Sequence, residues 1–80
     1  MKLPRNLSGK VLARKLRGLG FEEVHQTGSH IICRTAEGGG HTEVIPDHKP
    51  LKVGTLASIL NRIARHLGKS RDELMNELKL

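Results

Sequence analysis

Five histidines occur in a chain of 80 residues, at positions 25, 30, 41, 48 and 66, and four of them fall between residues 25 and 48. An imidazole titrates near neutral pH, with an unperturbed pKa of about 6.5, so it can take a proton from a hydroxyl and return it. Nothing else in the chain offers comparable chemistry. There is no phosphate-binding glycine loop, no paired zinc thiolates and no Ser-His-Asp signature. His30 is distinguished by its setting, since it follows Gly28 and Ser29 at the start of an apolar, β-branched run. Strand alternation would put His30, Ile32 and Arg34 on one face and Ser29, Ile31 and Cys33 on the other. That places a proton-transfer group on the same face as a fixed positive charge, with room expected for an RNA phosphate between them. The competing reading is a surface histidine in a hairpin.

The histidine spacings do not suggest a metal centre. His25 and His30 flank a turn, His41 and His48 are seven apart, and no thiol or carboxylate cluster completes either pair. No metal and no cofactor are expected. His66 falls in the last turn of a helix, where a cation complements the dipole, and reads as structural.

The partner implied by charge is a polyanion. The formal net charge is +6, and Lys2, Arg5, Lys10, Arg14, Lys15 and Arg17 precede any acid. Lys10, Arg14 and Arg17 recur on one side of the first predicted helix, as an RNA-binding stripe or as an ordinary solvated face. Lys49 and Lys52 lie just before a predicted helix start, so they and the amides near Gly54 and Thr55 form a candidate phosphate seat. With one Phe and no Tyr or Trp, base stacking has little to work with, and weak sequence preference is expected.

The elements that must hold these groups are legible. Ser8 can cap a helix carrying Leu12, Leu16 and Leu19, which Gly20 ends. Strands are expected over residues 21–26, 29–35 and 42–46, with Thr27-Gly28 as a turn and Gly28 supplying unusual backbone angles. A loop from Asp47 to Lys52 leads to a helix from about Val53 to His66, with Leu56, Ile59, Leu60, Ile63 and Leu67 inward and Arg62 and Arg65 outward. Ser70 and Glu73 form a capping box that opens a short last helix. The order α-β-β-β-α, plus a terminal helix, predicts an α+β sandwich. A three-stranded antiparallel sheet would carry its helices on one face and leave the other open. One domain over residues 1–80 is expected. The single Cys33 excludes an internal disulfide and reads as a core residue. No apolar run nears the roughly 20 residues of a membrane span, and the N-terminus lacks a signal peptide's apolar stretch, so the cytoplasm is expected.

Three motifs together resemble the HicA toxin family over essentially the whole chain: Gly28-Ser29-His30 after Leu19-Gly20-Phe21, then Pro46-Asp47-His48, then Gly54-Thr55-Leu56 with Ile59-Leu60. The resemblance implies a fold like the double-stranded-RNA-binding domain and metal-independent cleavage of mRNA. It implies that His30 is catalytic and that a HicB antitoxin masks the active site. Thr27 stands where the family often has a basic residue, a role Arg34 or the first helix would take over. The tail after Gly68 is longer than in the shortest members. With His30 as general base, the RNA 2′-OH would attack the adjacent phosphate, and His48 or water would protonate the leaving oxygen. The alternatives are a non-catalytic RNA-binding module on the same fold, and a regulatory domain whose basic face binds an acidic protein.

Overall fold

The computed structural model describes residues 2–80. Helix α1 (Gly9–Leu16) starts at Ser8, whose side chain accepts a hydrogen bond from the Val11 amide. It tightens into a 3-10 turn over Arg17–Leu19 and stops at Gly20, which takes a left-handed φ of 91°. Strands β1 (Glu22–Gln26), β2 (His30–Thr35) and β3 (His41–Pro46) follow as an antiparallel meander in the order β1-β2-β3. Helix α2 (Val53–Leu67) ends at the left-handed Gly68, and α3 (Arg71–Glu77) opens on the expected capping box.

The sheet is two-faced because β2 and β3 alternate. Ile31, Cys33, Thr35, Glu43 and Ile45 are buried, while His30, Arg34, Thr42 and Val44 are exposed. The buried face meets Leu12 and Leu16 of α1 and Leu56, Ile59, Leu60 and Ile63 of α2. Leu74, Met75 and Leu78 continue the same core, as does Phe21. Each such side chain contributes about 1.5–3 kcal/mol by leaving water. All the helices lie on this face, giving the α+β architecture of the double-stranded-RNA-binding domain. The other face is open.

Three details differ from the pattern of the sequence. The register of β1 on β2 shifts between Glu23 and His25, so Val24 is an extra residue in the edge strand. Gly28 does not adopt a left-handed φ, and a Cβ there would meet nothing within 4 Å. The hairpin is instead turned by Thr27, a residue whose hydroxyl can substitute for a backbone acceptor. Arg62 does not point away from the sheet but folds back to Glu43.

Candidate functional site

The site is assembled at the end of the sheet where β1 turns into β2 and β3 runs out. Thr27 sets the hairpin: its amide donates to the His30 carbonyl at 2.9 Å, and its hydroxyl accepts from the His30 amide at 3.1 Å. His30 is thereby held at the first position of β2, with its side chain on the open face and exposed. Ser29 Oγ lies 3.0 Å from His30 Nδ1. If Oγ accepts, Nδ1 carries the proton and Nε2 keeps a free lone pair, which is the state a general base requires.

The second motif is joined to the first by strand pairing. His30 is opposite Pro46, and the Asp47 amide donates to the Ser29 carbonyl at 2.9 Å. Asp47 acts as a clasp that sequence reasoning quoted but gave no role. Its Oδ2 accepts from Gln26 Nε2 at 3.3 Å and lies 3.9 Å from Lys10 Nζ. The start of α1 closes the arrangement: the Gly9 amide donates to the His48 carbonyl at 3.0 Å. A Cβ on Gly9 would sit 1.9 Å from the Pro46 carbonyl oxygen, so only glycine permits this approach. Gly28, Ser29, His30, Asp47, His48 and Lys10 therefore share one end of the molecule.

Arg34 is four residues along β2 from His30 on the same exposed face, about 13 Å away at the rise of a strand. Its Nε donates to the Thr42 hydroxyl at 3.3 Å. Arg17 pairs with Glu23 at 3.4 Å. Arg14, Lys49 and Lys52 are exposed and make no ion pair among the described residues. Lys52 is the N-cap residue of α2 without a side-chain capping bond, and the first turn holds no acid.

Beside His30, Val44 and the bulge residue Val24 are 48% and 44% exposed, and half-buried Ile32 is opposite Val44 in the register.

His41 and His66 occupy the opposite end of the sheet. Glu43 is only 3% exposed. Its Oε1 accepts from Arg62 Nε at 2.9 Å and Nη2 at 2.5 Å, and its Oε2 is 2.8 Å from His41 Nε2. His41 stacks on His66 with ring centroids 4.8 Å apart, and meets the edge of Phe21 at 6.4 Å. His66 Nε2 is 2.8 Å from the Glu37 carbonyl. This network satisfies a buried carboxylate, and its histidines are structural. Sequence reading missed Glu43, whose only signal was a carboxylate at an inward strand position. Cys33 is fully buried on the inner face, and burial, with help from Glu23, pushes its thiol up to about 11. It is a core residue with negligible thiolate at neutral pH.

Among the described residues, no three His, Cys, Asp or Glu side chains converge in a metal-binding group. No described helix is long and apolar enough to cross a membrane.

The model of the family described as HicA toxin of bacterial toxin–antitoxin systems matches residues 9–68 of the 80. The chain belongs to the HicA toxin family. The matched span holds the Gly28-Ser29-His30 hairpin, the Pro46-Asp47-His48 strand end and the start of α2, the three places where the motifs lie. A HicA protein is the toxin of a toxin–antitoxin pair, so this chain is a toxin with an antitoxin partner. No curated protein and no solved structure matched it.

Proposed function

We propose that this HicA toxin is an endoribonuclease that cleaves mRNA without a metal, as one domain over residues 1–80 in the cytoplasm, and is held inactive by a HicB antitoxin. The observation that carries the reading is His30: exposed, fixed by Thr27, and bonded through Nδ1 to Ser29 Oγ.

RNA supplies its own nucleophile. Nε2 of neutral His30 takes the proton from a 2′-OH, the oxygen attacks the adjacent phosphorus, and the bond to the 5′-oxygen breaks. The leaving oxygen takes a proton from His48 or from water, giving a cyclic phosphate and a free 5′-OH. With Oγ accepting from Nδ1, Ser29 holds the ring in the required tautomer, and Gly28 leaves the space beside it open. A positioned base contributes about 10²–10⁴-fold. Lys10, held at this end by Asp47, stabilises charge on the phosphate, while Arg14, Lys49 and Lys52 hold the backbone to either side. Arg17 and Arg34 are engaged within the fold and add a weaker, longer-range attraction. The antitoxin docks on the open face, over Val24, Ile32 and Val44, and so covers His30.

Incubation of mRNA in EDTA with the wild type and with His30→Ala, folding being checked by circular dichroism, tests this reading. Cleavage by the wild type alone is expected. Cleavage by a folded His30→Ala protein at the wild-type rate rejects His30 as the base. Tight RNA binding without cleavage by either protein favours the non-catalytic RNA-binding module.

A further inference from the structure

A second basic site draws its cations from outside the matched segment. A cleft of about 290 Å³ is lined by Lys2, Leu3, Arg5, Val53 and Arg71, three cations and, among the described residues, no acid. Lys2 and Arg5 come from the chain ahead of α1, Val53 is the first residue of α2, and Arg71 is the first residue of α3. None of the three cations makes an ion pair or side-chain hydrogen bond among the described residues. Lys10, Arg17, Arg62 and Lys69, by contrast, each face a carboxylate. What distinguishes the cleft is that three cations from separate segments of the chain line one concavity, with no ion pair among the described residues.

The cleft is held in place. Leu7 is buried and its carbonyl accepts from the Leu51 amide at 2.7 Å, while Leu3 packs against the core. The N-terminal segment is thus tied to the loop that carries Lys49 and Lys52. That loop links the cleft to the His30 end: Val53 is five positions after His48, so their backbones are at most about 18 Å apart. Exposed Lys49 and Lys52 lie on the way. An extended strand can cover that distance in a few nucleotides.

We infer that the Lys2-Arg5-Arg71 cleft seats backbone phosphates of the RNA a few nucleotides from the bond cut at His30. The inference rests on the RNA-cleaving function above. The cleft is a binding site, not part of the catalytic group, and it acts only on RNA long enough to reach it.

The test uses the full chain and a 2′-O-methyl RNA, which lacks the nucleophile and stays intact whatever His30 does. Affinity is measured against salt for RNAs of about 4 and about 16 nucleotides, the range of single-strand site sizes. For Lys2→Ala/Arg5→Ala/Arg71→Ala, the log-log slope on the long RNA should fall by about 0.7 for each phosphate released, an affinity loss of about fivefold each at 0.1 M salt. Binding of the short RNA and cleavage of short unmodified RNA should be unchanged. Arg5→Lys/Arg71→Lys should retain the slope, and Arg5→Ala alone gives a smaller loss if the triple variant does not fold. Equal slopes for wild type and the alanine variant overturn the inference. So does equal RNA binding with weakened capture of an acidic antitoxin segment, which would give the cleft to the protein partner. If wild-type cleavage is absent but the slope still falls, the cleft stands and the nuclease reading fails by itself.

Discussion

The two ends of the sheet use the same residue type for opposite purposes. At the hairpin end, His30 is exposed and its ring has one neighbour in hydrogen-bond range, Ser29 Oγ on Nδ1, which leaves Nε2 facing solvent. At the far end, His41 and His66 are half-buried, stacked on each other, and each Nε2 is within hydrogen-bond distance of an acceptor. A proton acceptor for an incoming substrate needs a free lone pair and a path to it. The far pair lacks the path, because its half-buried rings stack on each other and complete the packing around buried Glu43. Histidine count therefore does not locate chemistry; the exposure of each ring to an incoming substrate does.

The comparison breaks most sharply on cleavage rate. His30→Ala should slow RNA cleavage by about 10²–10⁴-fold while the melting temperature stays near that of the wild type, because the side chain is exposed. His41→Ala should do the reverse, lowering the melting temperature with little change in the rate per folded molecule. Loss of activity in a stable His41→Ala protein would show that the ends are not separate.

Next in size is Glu43→Ala. It strands His41 and frees Arg62, which is 50% exposed and can turn to water. Denaturant unfolding should show a cost near the low end of the roughly 3–5 kcal/mol seen when one partner of a buried pair is removed.

The glycines sharpen the contrast at the hairpin end. Gly9→Ala forces a methyl into the Pro46 carbonyl, and should cost about 1–3 kcal/mol by overpacking while displacing the His48 loop and reducing cleavage. Gly28→Ala meets nothing within the protein and has no left-handed φ to lose, so its stability should be unchanged. A rate loss in Gly28→Ala measures the space the RNA needs.

The smallest effect concerns Cys33. Its thiol titrates at about 11 in the fold, against 9.0 ordinarily, so between those values the folded chain keeps a proton that the unfolded chain releases. The associated stability is complete below about pH 9 and is lost as pH rises through 11. Melting temperature against alkaline pH should fall more gently in Cys33→Ala than in the wild type, and native Cys33 should resist alkylation at neutral pH.

Sequence by itself determined the element order, both long amphipathic helices, the capping box at Ser70 and the outward face of His30. These follow from local periodicity and capping chemistry, which act over a few residues. It also singled out Gly28-Ser29-His30 and Pro46-Asp47-His48 as the motifs to watch. Only the tertiary structure decided that these two motifs meet, with Gly9 and Lys10 beside them, because strand register joins residues far apart in the chain. It bonded Arg34 Nε to the Thr42 hydroxyl of the neighbouring strand. It turned Arg62 inward, since a buried carboxylate on a neighbouring strand outweighs the preference of an arginine for water. It also drew Lys2, Arg5 and Arg71 into one cleft. Long-range packing brings these groups together, and no local pattern records it.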